Sequence, residues 1–497
     1  MINYTADWSL MTPEIVLAAF ALLIFTIDFM TGVKGKKPFT GHLSIIALLT
    51  AAVLTAVSNG TGTGGIGDMF LVDPMSTVVK IMILLGAALV IGITMYYVDR
   101  HDDIYQGELY SLMLFAVIGA MIMVSSADLI TLFIGLELLS ISAYCMTGFR
   151  RYRKQSSEAA VKYIVLGGTA SAFILYGMSF LYGLTGTTSL TVIGEGIGDL
   201  FAAYPFLVMM SLLFILGGFA FKMSVVPFHM WAPDVYEGAP TPVTAFLSAI
   251  SKVAAFAIVL RVFFTGFGGI YEEWAFLIGV LAALTMLAGS LIALPQRNVK
   301  RLMAYSGIAQ AGFLLVPLAA VTTADLAISV FMFYAAAYML MTLGAFAVIT
   351  IVTEAADSED VSGFTGLYYR SPFLAFSMSA FLISLAGLPI SAGFIGKAWI
   401  FFHTVSAGMI WLAVVMVLAT VISFFYYFRI IQRLFVRSVD TSAAEAEVAA
   451  AREPGAPVAV SPGMTVVLAV TLAGTVGLGI IPFLLTNWFT TLQWLSF

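Results

Sequence analysis

The sequence predicts an all-α polytopic membrane protein with about fourteen transmembrane helices, containing two inverted five-helix repeats (spans 4–8 and 9–13) in which spans seven and twelve are broken. Three observations lead there. The chain is 61% hydrophobic and only 10% charged, whereas a soluble domain averages roughly 45–50% apolar and about 25% charged. Apolar runs long enough for a hydrocarbon core of about 30 Å recur along the whole chain. Basic residues in the connections fall only on the side that follows odd-numbered spans. Lipid offers no hydrogen-bond partner to the backbone, so runs of this length must close into helices.

The runs fall at 13–31, 41–58, 74–98, 108–124, 127–149, 159–184, 205–223, 241–266, 273–294, 299–319, 325–353, 373–405, 409–436 and 464–487. They belong to a single membrane domain, 1–497. Spans one to three lie in 1–107, the first repeat in 108–266, the second in 273–436, a cytoplasmic loop in 437–463 and the last span in 464–497. The first span is expected to be retained, because MINYTADWSLMTPE has no basic region of the kind that opens a cleaved signal. Segments following odd spans hold Lys34, Lys36, Lys37, Arg100, Arg150, Arg151, Arg153, Lys154, Arg297, Lys300 and Arg301, and later Arg370, Arg433, Arg437 and Arg452. The opposite connections (59–73, 125–126, 185–204, 267–272, 320–324 and 406–408) hold none. The positive-inside rule then puts both termini on the non-cytoplasmic side of a bacterial plasma membrane.

Two spans carry breaks. Span seven ends near Lys222 and continues past Pro227; span twelve contains GLPISAGFIGK, with Gly387, Pro389 and Gly393 ahead of Lys397. Proline removes a backbone donor and clashes with the preceding turn. Broken helices at membrane depth are tolerated where they line a polar cavity, and they recur once per half in transporters built from inverted repeats. The two breaks are five spans apart, so the segments cross in opposite directions.

Composition excludes several functions. Cys145 is the only cysteine, which rules out a disulfide framework, a cysteine-ligated zinc site and an iron–sulfur cluster held by this chain. The four histidines, His42, His101, His229 and His403, are far apart in sequence and give no haem-ligand pair. A net charge of -5 without a basic aromatic surface patch gives no footprint for nucleic acid.

What remains is charge at membrane depth. Lys222 and Lys252 lie in consecutive spans on either side of PFHMWAPDVYEGAPTP. A charged side chain at the bilayer centre costs about 2.5–3.5 kcal/mol on insertion scales, so it marks function by default. Lys222 is close enough to a helix end to snorkel; Lys252 is too deep. Small residues around Lys252, from Ala245 to Ala255, permit close helix packing. Glu137 sits mid-span with Ser140 and Tyr144 on its face, at i+3 and i+7. It reads either as a structural carboxylate or as the counter-ion of a buried lysine. At ~6 Å and an effective dielectric of ~20, such a pair is worth about 2.8 kcal/mol. A change in separation then decides whether the amine holds a proton. Lys397 is the natural output-side partner of Lys252. Lys162 reads as a relay or as a snorkelling side chain. His229 reads as a relay, since histidine titrates near neutrality, or as a hydrogen-bonded structural residue. His403 is a lesser candidate near the outer end of span twelve. Lys80 and Arg429 read as structural, and Asp234 and Glu237 as shaping the cytoplasmic break.

Four stretches, SSEAAVKYIVLGGTASAFILYGMSFLYGLTG, PFHMWAPDVYEGAPTPVTAFLSAISKVAAF, NVKRLMAYSGIAQAGF and GLPISAGFIGKAWIF, closely resemble the antiporter-like subunits of NADH:quinone oxidoreductase, respiratory complex I. They occur in the family's order between about Asp73 and Arg429. Lys397 in the broken span, and the absence of a long lateral helix, resemble its subunit N. The resemblance implies that Glu137, Lys222, Lys252 and Lys397 occupy proton-channel positions, and that Lys162 matches another charged family position. It implies a translocase subunit without a redox centre of its own. NAD, flavin, iron–sulfur clusters and quinone would be held by partner subunits: other antiporter-like subunits of the membrane arm and a peripheral redox arm. Gln310 departs from the pattern, since many members have histidine there, and a histidine relay in span ten is not expected. Three alternatives stay open, two from relatives with other functions and one from another class. These are a multi-subunit sodium/proton antiporter, a membrane-bound hydrogenase-type complex and a non-conducting scaffold.

Overall fold

The computed structural model describes residues 8–31, 37–58, 64–67, 69–101, 104, 106–436 and 458–495. Lys34, Lys36, Arg437, Arg452 and most of the loop expected at 437–463 lie outside the described residues. Among the described residues, thirteen helices are long and apolar enough to cross a membrane. They are α1 (Thr12–Met30), α2 (Pro38–Ser58), α3 (Pro74–Val98), α4 (Gln106–Val124), α5 (Leu129–Thr147), α6 (Lys154–Thr185), α8 (Pro205–Met223), the span Thr241–Gly266, α12 (Tyr271–Ala293), α13 (Val299–Ala319), α14 (Ala324–Ala356), α18 (Ile410–Phe435) and α19 (Pro462–Ile480). After a short α15 (Leu367–Arg370), the fourteenth run is a pair of shorter helices, α16 (Pro372–Ala386) and α17 (Ala392–Ser406), divided at the expected break.

Local chemistry sets the helix ends. Asp73 caps α3 by accepting from Ser76 N at 2.7 Å, and Ser76 Oγ returns the bond, a reciprocal capping box. Asp128, Asn298 and Thr323 cap α5, α13 and α14. Arg429 of α18 donates to the Leu294 and Gln296 carbonyls at 2.7 and 2.6 Å, which holds the end of α12. A cation at that terminus also opposes the helix dipole.

Packing sorts the helices radially. Every residue in the most apolar window of Thr241–Gly266 is buried, and α13 and α14 are nearly as enclosed. Helices α1, α6 and α19 bury only about a third of theirs and present Leu22, Val161 and Val466 outward. The central span is not uniform. It comprises α10 (Thr241–Phe246), a π turn at Leu247–Ser251, α11 (Lys252–Arg261) and a second π turn at Val262–Gly266. Single π turns inside α-helices accompany functional sites and release backbone groups from the regular ladder.

Three features were not read from the sequence. The connection 59–73 holds a hairpin of β1 (Gly64–Ile66) and β2 (Phe70–Val72). The connection 185–204 contains helix α7 (Leu190–Ala203). Gly194, Gly196 and Gly198 lower its helix propensity, but a Cβ at Gly194 would collide with the Thr265 carbonyl, so this glycine permits the helix to dock on the second π turn. Past the first break the chain forms a third, α9 (Trp231–Gly238).

Candidate functional site

Helix α8 ends immediately after Lys222, where Ser224 adopts a left-handed conformation at φ 60°. The Trp231 indole of α9 donates to the Phe221 carbonyl at 2.8 Å and ties that end down. Lys222 therefore does not snorkel. It is 4% exposed, and its Nζ donates to Ser140 Oγ of α5 at 2.9 Å. Glu137, one turn before Ser140 and half-buried, accepts from Ser171 Oγ of α6. The expected face of Glu137, Ser140 and Tyr144 thus forms. The contact from Lys222 is to the serine rather than to the carboxylate. Ser140, Tyr144, Ser171 and Lys222 line a cavity of about 10 Å³, close to the minimum that holds one water.

Lys252 follows the first π turn and is 1% exposed. Its Nζ donates to the Gly307 carbonyl of α13 at 2.8 Å. A Cβ at Gly307 would stand 3.2 Å from this nitrogen and 3.3 Å from Tyr338 Oη, so a side chain there would press on both. Tyr338 donates to the Ser248 carbonyl at 3.0 Å, occupying a group in the π turn.

Lys397 lies just past the break in span twelve. Helix α16 closes at Gly387, φ +83°, and Ser391 caps α17. Four carbonyls of a helix's last turn have no partner within the helix. Lys397 Nζ takes two of them, Leu385 O at 2.8 Å and Ala386 O at 3.4 Å. Gln310 Nε2 shares the first at 2.9 Å. Gln310 also donates to Tyr427 Oη at 3.3 Å and accepts from Tyr334, while Tyr427 pairs with Ser306. Ser306 precedes Gly307, the acceptor of Lys252. A polar network along α13 thus leads from the Lys252 contact to the Lys397 contact, with Gln310 at its junction.

Lys222, Lys252 and Lys397 share one property. Among the described residues none of them forms an ion pair, whereas Lys80, Lys162 and Lys300 do. Their acceptors are a hydroxyl and backbone carbonyls. A buried ammonium without an ion-pair partner carries a desolvation cost that no opposite charge offsets. Such a site suits a charge that comes and goes.

The charged candidates outside this series sort differently. Lys162 pairs with Glu158 at 2.9 Å and Asp234 at 2.8 Å, and Asp234 and Glu237 both receive Arg301, at 2.7 and 3.0 Å. These groups line a polar cavity of about 210 Å³ where α6, α9 and α13 meet. Asp234 and Glu237 therefore do more than shape the break: they join it to the second half of the chain. His229 is half-buried beside the Pro227 backbone, and His403 is buried beside the Ala320 backbone. Neither touches the lysine series. Lys80 pairs with Glu14 at 2.7 Å in the interior, a partner not foreseen from the sequence. Arg261 and Asp73 form a buried bidentate pair at 2.8 Å for each bond, also unforeseen. Cys145 is a free, exposed thiol. Among the described residues no group of three or more His, Cys, Asp or Glu side chains is placed to hold a metal ion.

The family model for the membrane region of NADH:quinone oxidoreductases and Mrp antiporters matches residues 126–423. The chain is 41% identical to the NADH-quinone oxidoreductase subunit N of Brevibacillus brevis, over 98% of this chain and 95% of that protein. Its fold is similar to a chain of respiratory complex I from Thermus thermophilus solved with bound aureothin, with a TM-score of 0.78, 30% identity, and coverage of 96% of this chain and 99% of that one. A chain of the Mrp complex from Dietzia sp. DQ12-45-1b shares the fold at a TM-score of 0.79 and 20% identity, over 98% of this chain and 95% of that one.

Proposed function

The chain belongs to the NADH-quinone oxidoreductase subunit N family, and from that premise we propose that Glu137, Lys222, Lys252 and Lys397 carry protons across the membrane arm of such a complex. It is a proton-translocating, multi-pass subunit of a bacterial respiratory complex in the plasma membrane. It works beside other membrane-arm subunits and a redox arm that reduces quinone. The observation that carries the site assignment is the series of three buried lysines held by neutral acceptors.

Each group has a distinct part. Glu137 biases the proton on Lys222 through the Ser140 turn. Lys252 is the central carrier, exchanging toward Lys397 along the Ser306–Tyr427–Gln310 network. A glutamine side chain cannot titrate as histidine does, so Gln310 orders the acceptors on either side. Lys397 releases the proton on the output side. Lys162 and the mouth cavity it lines with Asp234 and Arg301 gather protons at the cytoplasmic face, and His229, on the break after α8, is a further relay. The lysines at the α8–α9 and α16–α17 breaks support two inverted five-helix repeats. The one-sided basic residues support termini on the non-cytoplasmic side.

Glu137→Gln is expected to slow quinone-coupled proton uptake in inverted vesicles by about tenfold, a loss of ~1.4 kcal/mol of control over Lys222. Unchanged uptake per assembled complex would remove Glu137 from the path. A second reading, sodium/proton antiport without redox partners, follows from the match to Mrp antiporters. Under that reading a sodium gradient alone drives proton uptake and a quinone-site inhibitor does not affect it.

A further inference from the structure

Among the described residues no hydrogen-bonded side chain supplies a step between Lys222 and Lys252, but a contiguous set of aromatic rings does connect them. Lys222 Nζ lies 5.8 Å from the ring centre of Tyr163, and Lys252 Nζ lies 5.9 Å from that of Tyr236. Tyr163 stacks on Trp231 at 4.5 Å and 5°, and Trp231 meets Tyr236 edge-on at 6.1 Å. The Trp231 indole is fixed to the Phe221 carbonyl, so the plate is held in place. Both tyrosines are fully buried. Among the described residues neither hydroxyl has a hydrogen-bond partner. Buried hydroxyls are paired in the large majority of cases, with protein or with ordered water. Two unpaired hydroxyls in one ring system, each ring beside one of two buried lysines, point to a shared purpose.

We infer that the hydroxyls of Tyr163 and Tyr236, bridged by water, form the relay that passes a proton from Lys222 to Lys252, an inference that rests on the lysine path proposed above. The Lys222 ammonium loses one proton through water to the Tyr163 oxygen. Tyr163 releases its own hydroxyl proton through water to Tyr236, which in turn releases its proton to the neutral amine of Lys252. Each phenol gains one proton and loses one, so both end neutral. The net change is one proton lost by Lys222 and one gained by Lys252, and water is not consumed. Trp231 has no hydroxyl and acts as the spacer that sets the separation of the two rings.

Phenylalanine keeps the stacking and removes only the oxygen, so Tyr163→Phe, Tyr236→Phe and the double variant isolate the relay. In inverted membrane vesicles bearing the whole complex, donor-driven proton uptake and quinone reduction are measured in water and deuterium oxide. Rates are normalised to assembled complex on native gels. Each single variant is expected to lose about tenfold or more in coupled turnover, with a larger solvent isotope effect than the parent. The double variant is expected to lose no more than the worse single one, because the two hydroxyls act in series. If the double variant does not assemble, the singles decide. Parent rates with an unchanged isotope effect would overturn the relay. Lys222→Met in the same vesicles separates the two levels. If it stops turnover while the phenylalanine variants do not, only the relay fails; if it too turns over normally, the lysine path fails.

Discussion

Lys252→Met is expected to lower coupled proton uptake by about a hundredfold or more, the scale lost when a positioned proton carrier is removed. The side chain is 1% exposed in the most buried span, after the first π turn and against the Gly307 carbonyl. Methionine has nearly the same length and flexibility and fills the space, so packing changes little. The change removes a buried amine that has no carboxylate beside it, so no opposite charge is stranded. The subunit should therefore assemble in normal amounts while transfer from Lys222 toward Lys397 stops. Measuring assembled complex and proton uptake in the same membranes checks both halves of this expectation. A large fall in assembly with normal turnover per complex would assign Lys252 to structure.

Asp73→Asn is expected to have the opposite signature, a loss of assembly rather than of chemistry. Asp73 caps α3 and accepts both Arg261 bonds in a fully buried setting. Breaking a buried ion pair from one side strands the other charge and costs about 3–5 kcal/mol. A difference of that size lowers the folded population steeply and reduces subunit abundance several-fold. Replacing both partners, Asp73→Ser with Arg261→Met, keeps a capping hydroxyl and strands nothing. This double variant is expected to recover much of the lost abundance. Heat-induced release of the subunit from purified complex, followed for parent, single and double variants, provides the comparison. Equal stability of the single variant and the parent would contradict it.

The two expectations also mark what the sequence conveys and what it does not. A lysine inside a long apolar run is conspicuous, because one charge contrasts with every neighbour. Lys222, Lys252 and Lys397 were legible for that reason. Their acceptors were not. Gly307 O and Leu385 O belong to the backbone, and any residue could supply them. The Lys252 contact joins residues 55 positions apart and the Asp73–Arg261 pair joins residues 188 apart. Asp73, Arg261 and Glu14 lie near span ends, where a charge ordinarily reads as interfacial. Only the tertiary fold encloses them.

The membrane spans were legible almost throughout, because backbone desolvation in lipid forces long apolar runs into helices. Both breaks were legible from the helix-breaking residues around them. The π turns were not, since AFLSAISKVAAF is an unremarkable helical stretch by composition. Helix α7 was hidden by its glycines, which the docking surface requires and propensity penalises. Gln310 shows the limit of reasoning by residue type. Read as the loss of a histidine, it suggested a missing relay. In the fold its amide bridges Tyr334, Tyr427 and the Leu385 carbonyl that also receives Lys397.

The central claim is that the buried lysines conduct protons in step with quinone reduction, and Lys222→Met tests it most directly. Donor-to-quinone electron transfer and proton uptake are recorded together in inverted vesicles containing normal amounts of assembled complex. A tightly coupled carrier predicts that both rates fall together, by about a hundredfold or more. Parent rates of both would contradict the account and assign Lys222 to structure.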